Sequence, residues 1–98
     1  LLYCGIIIQK LYRQANIDSL TGICNRRYFF TKISKILKMK LPVSLMMIDV
    51  DNFKSINDKY GHESGDEVLR QLAVIINNNT RSTDIVARLS GDEFVVIL

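Results

Sequence analysis

With 98 residues, of which 48% are hydrophobic and 23% charged, the chain suits one small globular unit and is too short for two independent cores. The net charge of +3 is only mildly basic, and no block of Lys and Arg is dense enough to indicate a nucleic-acid partner or an anionic membrane surface. Cys4 and Cys24 are too far apart for a CxxC pair and too few for a disulfide framework, which favours a reducing, cytoplasmic setting. The chain starts at Leu1 without methionine and stops at Leu98 inside an apolar run, so we expect it to belong to a longer protein.

The first segment, residues 1–17, is predicted to be a helical linker that ends near Asn16. Four side chains in it keep helical spacing: Ile8, Leu11, Tyr12 and Ala15. The apolar start, residues 1–8, is much shorter than the roughly 20 residues that cross a bilayer, and it lacks the basic region of a secretory signal. Two interpretations stay open, a linker helix that packs on a partner and the inner end of a transmembrane helix.

A second unit begins at Asp18, where residues 18–22 have turn and cap chemistry. A helix is predicted at about residues 25–39, and its apolar residues share one face: Phe29, Phe30, Ile33, Ile36 and Leu37. After Pro42, the near-continuous apolar run of residues 43–48 is typical of a central strand that is covered on both faces.

The second half predicts one more helix and a hairpin. Ser64 and Glu67 fit a capping box, and the apolar periodicity that follows indicates a helix ending at residues 77–79. Residues 85–89 and 94–98 are β-prone and flank a turn sequence, as in a β-hairpin. The order helix, strand, helix, strand, strand indicates an α/β fold, a layered sandwich of helices on a sheet.

Two acidic clusters stand out, Asp49/Asp51 after the first strand and Asp92/Glu93 in the hairpin turn. If the two strands are neighbours, the carboxylates meet at one sheet edge and repel each other unless a cation neutralises them. Mg²⁺ fits, because it takes one or two carboxylates together with phosphate oxygens of a substrate, and this is the chemistry of nucleotidyl transfer. The alternative is that these aspartates serve the turns alone.

Three motifs together resemble the GGDEF-domain family of diguanylate cyclases, in order and at the usual spacing over residues 18–98. The motifs are Asp18-x-Leu20-Thr21-Gly22-x-x-Asn25-Arg26-Arg27, Asp49-x-Asp51-x-Phe53-Lys54-x-Ile56-Asn57-Asp58-x-x-Gly61-His62-x-x-Gly65-Asp66 and Arg88-x-Ser90-Gly91-Asp92-Glu93-Phe94. The resemblance implies a palm-like, nucleotidyl-cyclase-like fold with a mainly antiparallel sheet flanked by helices, of which residues 18–98 would be the N-terminal portion. It also implies a bacterial signalling protein, with the domain in the cytoplasm and an upstream sensor or inner-membrane segment.

By that resemblance the enzyme condenses two GTP molecules into cyclic di-GMP, releases pyrophosphate and acts as a homodimer. Asp49, Asp92 and the main-chain carbonyl of Val50 would hold Mg²⁺ or Mn²⁺. Asp92 and Glu93 are the expected catalytic carboxylates, and Lys54 would stabilise the negative charge of the phosphates. The fragment alone is expected to be inactive.

The resemblance also implies the nucleotide contacts. Asn57 and Asp66 would recognise guanine through amide and carboxylate hydrogen bonds, although each could instead serve a helix end. The other expected substrate-binding residues are His62, Ser90 and Gly91.

An RxxD pattern, Arg81 to Asp84, matches the family's site for inhibition by cyclic di-GMP, although RxxD also arises by chance in surface turns. Ser90 stands where the family has glycine, and it could donate to a phosphate oxygen if its φ is negative. Reduced activity is one expected consequence, and a degenerate module that binds GTP or cyclic di-GMP without catalysis is the alternative function. Gly61 and Gly65 are expected to allow tight turns beside the nucleotide.

Overall fold

A computed structural model describes residues 2–98, so Leu1 of the predicted linker lies outside the described residues. The elements in chain order are α1 (Leu2–Asn16), α2 (Arg26–Lys38), β1 (Leu45–Asp49), α3 (Phe53–Tyr60), α4 (His62–Asn78), β2 (Ile85–Ser90) and β3 (Glu93–Ile97). None of the described helices is long and apolar enough to cross a membrane.

Asn25 joins α1 to α2. Its side-chain oxygen accepts from the N–H of Tyr28 at 2.9 Å and so caps α2, while its side-chain nitrogen donates to the carbonyl of Ala15 at 2.9 Å. Both predicted helix boundaries are therefore confirmed, that of α1 near Asn16 and that of α2 near residue 25. Because one side chain serves both helices, the last turn of α1 is fixed to the first turn of α2.

The three strands form an antiparallel sheet with the order β1-β3-β2. β3 is the middle strand, and its side chains alternate between two cores. Phe94 and Val96 pack against Leu69 and Ala73 of α4 on one face. On the other face, Val95 and Ile97 pack against α2. The predicted hairpin and the helices flanking an antiparallel sheet are confirmed.

The prediction that the first strand is central and covered on both faces is wrong. Among the described residues β1 is an edge strand, and its first three side chains, Leu45, Met46 and Met47, are 49–58% exposed. The physical reason is that α2 and α4 lie mainly over β2 and β3, so Leu45, Met46 and Met47 are left outside both cores, and Ile48 is only partly buried against the α4 core. On α2, likewise, Phe29 and Ile33 are buried, but Phe30 and Leu37 of the predicted face are exposed.

The start of α4 also differs from its prediction. α3, which the sequence patterns did not indicate, ends at Gly61, and α4 begins directly afterwards at His62. Gly61 has φ +92°, a conformation that breaks the helix at low cost only for glycine. Ser64 therefore lies inside the first turns of α4 and is not its N-cap, and Glu67 bonds to side chains one turn further along the helix.

We expect Leu69→Ala in the full-length protein to lower the free energy of unfolding by about 2–5 kcal/mol, because Leu69 is 1% exposed and its truncation leaves a cavity between α4 and the sheet. Urea unfolding measures the change. Val74→Ala on the same helix is the matched control, since Val74 is 57% exposed. Equal losses in both variants would contradict the packing of α4.

Candidate metal and nucleotide site

The pairing of β1 with β3 brings the two acidic clusters together. Asp49 is the register partner of Glu93, and the N–H of Val50 donates to the carbonyl of Asp92 at 3.1 Å. The predicted meeting of the clusters at one sheet edge is confirmed. Asp51 lies beyond the strand, in the exposed turn that leads into α3.

The electrostatics of this edge favour a cation. Desolvation by the surrounding protein, followed by the negative charges of Asp92 and Glu93, raises the pKa of the Asp49 carboxyl above its ordinary value. The Asp49 side chain is exposed, so water and ions can reach it. Like charges held together by backbone pairing are relieved when a cation enters.

The donor set suits a hard cation. Carboxylate and carbonyl oxygens are the ligands that Mg²⁺ takes, and it keeps other positions for water and phosphate. Across residues 2–98, no group of three or more His, Cys, Asp or Glu side chains could hold a metal. Asp49 and Asp92 would therefore need a main-chain oxygen as well, and the backbone at Val50 is held beside Asp92 by its N–H.

The predicted guanine residues lie where α3 packs against α4. Asn57 directs its side-chain oxygen against Gly65, the residue before Asp66, and this buried oxygen has no hydrogen-bond partner. A side chain at Gly65 would overlap it, so Gly65 serves the close approach of two helices and not the turn that was predicted. The partly buried Asp66 follows on α4, so the structure brings the two predicted guanine residues to one helix contact.

Lys54 and His62 stand at helix starts, in the first turn of α3 and at the first residue of α4. Both side chains are exposed, and neither side chain makes a hydrogen bond or an ion pair with a described residue. Their side chains are therefore available to a ligand, and their predicted contacts with substrate stay predictions.

The signature turn runs from Ser90, the last residue of β2, to Glu93, the first residue of β3. Ser90 is not among the residues with positive φ, so its side chain adds no backbone strain where the family pattern has glycine. A Cβ on Gly91 would meet no atom within 4 Å, and its φ is not in the left-handed region. Neither the backbone conformation nor the neighbouring atoms therefore require glycine at Gly91. The absence of a side chain there is consistent with a close approach by a ligand.

Behind this turn lies an ion pair that the sequence patterns did not indicate. The Arg88 guanidinium contacts Asp18 at 3.2 Å, and these side chains are 17% and 20% exposed. The carboxylate of Asp18 also accepts from the N–H of Thr21 at 2.9 Å and from its hydroxyl at 2.7 Å. Burial alone would raise the pKa of Asp18, but the Thr21 hydrogen bonds and the Arg88 charge outweigh it and lower the pKa. The only sequence signal was that both residues belong to motifs.

Comparison with known proteins identifies this arrangement. Residues 15–98 match the family model described as diguanylate cyclase, GGDEF domain. The chain belongs to the GGDEF-domain family. It is 44% identical over 94 residues to diguanylate cyclase DgcS of Shewanella oneidensis, covering 92% of this chain and 32% of that protein. It is 46% identical over 85 residues to response regulator PleD of Caulobacter vibrioides, covering 83% and 19%.

Solved GGDEF structures agree with the fold. The coiled coil and GGDEF domain of DgcB from Caulobacter crescentus, in complex with c-di-GMP, matches with a TM-score of 0.89 and 28% identity over 98% of this chain and 52% of that one. The GGDEF domain of TpbB from Pseudomonas aeruginosa matches with a TM-score of 0.75 and 42% identity over 84% and 50%. The palm-like, nucleotidyl-cyclase-like fold class is thereby confirmed. The chain spans a third or less of these two curated relatives and about half of these two solved chains.

The RxxD pattern of this GGDEF domain forms a closed turn before β2. The N–H of Arg81 donates to the Asp84 carboxylate at 2.8 Å, and the N–H of Asp84 donates to the carbonyl of Arg81 at 3.0 Å. The Arg81 side chain is exposed and makes no hydrogen bond or ion pair with a described residue. Asp84 thus has a turn-forming role beside the predicted role in binding the product.

A groove of about 580 Å³ lies between the end of β1 and α4. It is lined by Ile48, Asp49, Val50, Ser64, Glu67, Val68, Gln71, Leu72 and Ile75. The acidic edge borders this groove, but the predicted guanine residues do not. We therefore locate the candidate nucleotide site from its polar residues and not from this groove.

We expect the stabilising effect of Asp18 to depend on pH. Because its pKa is lowered in the fold, its contribution is present above the ordinary value of 3.8 and is lost as the pH falls through the folded-state pKa. Asp18→Asn should lower the free energy of unfolding by about 1–3 kcal/mol at neutral pH, and the gap to wild type should close below about pH 4.

Urea unfolding from pH 7 to pH 3 measures this gap. Glu67→Gln is the control, because the Glu67–Arg70 pair is about half exposed, and its effect should be much smaller. If the free energy of unfolding of wild type exceeded that of Asp18→Asn by the same amount down to pH 3, the role given to the ion pair would be contradicted.

Proposed function

We propose that this GGDEF domain is the catalytic part of a diguanylate cyclase, which condenses two GTP molecules into cyclic di-GMP and releases pyrophosphate. The observation that carries the proposal is the meeting of Asp49 with Asp92 and Glu93 at one sheet edge. The relatives named diguanylate cyclases support it. Since the chain covers only part of those relatives, the activity is proposed for the full-length protein.

Asp49, Asp92 and the Val50 carbonyl would hold Mg²⁺ or Mn²⁺. When bound, such a cation would offset the negative charge that develops on the phosphate oxygens. In the reaction, the 3′-hydroxyl oxygen of one GTP forms a bond to the α-phosphorus of the other, and the bond to pyrophosphate breaks. The hydroxyl proton leaves with help from the acidic cluster, where Asp92 is a candidate acceptor and Glu93 supports it.

The base would be read at the contact of α3 with α4. Asp66 offers a carboxylate that accepts from the N1–H and N2–H₂ groups of guanine. The side-chain nitrogen of Asn57 donates to no described residue and can meet an acceptor on guanine. Lys54, His62, Ser90 and Gly91 would contact the rest of the nucleotide.

Two GTP molecules require two domains, so the active unit would be a homodimer. The structure of DgcB with its coiled coil covers 98% of this chain, whereas the structure of its GGDEF domain alone covers 86%. This difference supports α1 as a stalk helix toward an upstream sensor or membrane segment. Its apolar side chains are exposed, as a helical partner would require: Ile6, Ile7, Ile8, Leu11 and Tyr12. The Arg81–Asp84 turn would bind cyclic di-GMP as an inhibitor, and the domain would face the cytoplasm.

A second candidate function is a degenerate module that binds GTP or cyclic di-GMP without catalysis. The observation that favours it is Ser90 in place of the first signature glycine. A GGDEF-containing LapD from Vibrio cholerae, bound to c-di-GMP, is similar to this chain, with a TM-score of 0.88 and 26% identity over 98% of it. Product formation from GTP separates the two candidates.

We expect Asp49→Asn in the full-length protein to lower cyclic di-GMP formation at least 100-fold, because it removes a charge that would hold the cation. The measurement is product by mass spectrometry after incubation with GTP and Mg²⁺. Asp51→Asn is the matched control, since Asp51 lies two residues away in an exposed turn. Wild-type turnover in Asp49→Asn would overturn the metal site, and no product from wild type would favour the binding module.

We expect the enzyme to prefer GTP strongly over ATP, because adenine has no donors for the Asp66 carboxylate and would leave it unpaired. Asp66→Ser should reduce the ratio of GTP turnover to ATP turnover by about tenfold or more, while the Mg²⁺ dependence changes little. Both ratios are measured at the same Mg²⁺ concentration. An unchanged ratio would show that Asp66 only favours the first turn of α4.

A further inference from the structure

Arg88 makes the densest set of side-chain hydrogen bonds among the described residues. Besides Asp18, it donates to the carbonyls of two consecutive residues of the signature turn. Nε lies 3.3 Å from the oxygen of Ser90, and Nη2 lies 2.9 Å from the oxygen of Gly91. The planar fork of arginine carries five donors in a fixed geometry, which suits a carboxylate and two carbonyls at once.

These contacts fix the direction of the next two amides. In a trans peptide the C=O and the N–H that follows it point to opposite sides, and there is no cis peptide bond among the described residues. Because the carbonyls of Ser90 and Gly91 both point at Arg88, the N–H groups of Gly91 and Asp92 both point away from it. The turn therefore presents two consecutive donors on the side opposite Arg88.

The two donors are not used within the described structure. Neither the N–H of Gly91 nor that of Asp92 donates a backbone hydrogen bond to a described residue, whereas the Asp92 carbonyl is bound by Val50. Gly91 has no side chain to cover them, and a Cβ there would have open space around it. Successive N–H groups on one side of a turn are a common way to bind phosphate oxygens.

We propose that Arg88 is a positioning residue, which aims the N–H groups of Gly91 and Asp92 at an oxygen of the ribose–phosphate chain of bound GTP. This inference rests on the proposed function, because it assigns a device for the same nucleotide. Asp18 forms an ion pair with the Arg88 guanidinium. Ser90 fits the arrangement, because its carbonyl, and not its side chain, is what Arg88 binds.

The test separates positioning from stability in the full-length protein. Arg88→Ala and Arg88→Lys remove the fork, and Lys keeps the charge. Asp18→Asn removes the ion pair but keeps the contacts of Arg88 with the turn. Arg70→Ala, on an exposed ion pair of α4, controls for loss of a positive charge. For each variant we would measure the Kd of GTP with Mg²⁺ by calorimetry, and Tm.

We expect Arg88→Ala and Arg88→Lys to raise the Kd of GTP about tenfold, the size expected for the loss of one or two hydrogen bonds. Asp18→Asn should lower Tm and change the Kd less than about threefold, and Arg70→Ala should change neither. A Kd of GTP in Arg88→Lys equal to that of wild type would overturn this inference and leave the proposed function standing. The same holds if Arg88→Ala and Asp18→Asn lose affinity for GTP in the same proportion to their loss of Tm. If wild type itself binds no GTP, the proposed function fails first, and the inference with it.

Discussion

The antiparallel pairing of β1 with β3 is the constraint on which the rest of the site depends. Side chains alternate along a strand, so a slip of one residue between β1 and β3 would either turn Asp49 to the other face of the sheet or move Phe94 out of its core. The burial of Phe94 and Val96 under α4 therefore fixes the register, and the register sets Asp49 opposite Glu93. The apolar core thus determines where the carboxylates meet, although none of its side chains takes part in the chemistry.

The two sides of the signature turn have opposite electrostatic character. On one side, Asp49, Asp92 and Glu93 bring negative charges together, and desolvation and their mutual repulsion raise the pKa of Asp49. On the other side, Asp18 and Arg88 form a paired, mostly buried contact whose net effect lowers the pKa of Asp18. A two-residue turn separates a site that favours a cation from an ion pair that holds the backbone in place.

Sequence reasoning predicted the elements whose signals are local. The start of α2 near Asn25, the helix end at Asn77–Asn79 and the turn at Gly91 follow from residue chemistry over a few positions. The edge position of β1 could not be predicted, because an apolar run does not show which helices cover it. The predicted capping box at Ser64 was wrong, because α4 begins directly after Gly61, where the chain has a positive φ. The pair of Asp18 and Arg88 joins positions 70 residues apart, and no spacing rule reaches that far.

The contact of α3 with α4 shows a local cost that packing alone does not explain. Burying the Asn57 oxygen without a partner costs about 1–3 kcal/mol, and most native structures avoid such a cost. A smaller apolar side chain at this position would remove it and still fill the space beside Gly65. The amide is accounted for if its nitrogen has a use: the oxygen lies against Gly65, the residue before Asp66, and the nitrogen donates to no described residue. An amide and a carboxylate together offer both donors and acceptors, which is the chemistry that the proposed reading of guanine would use.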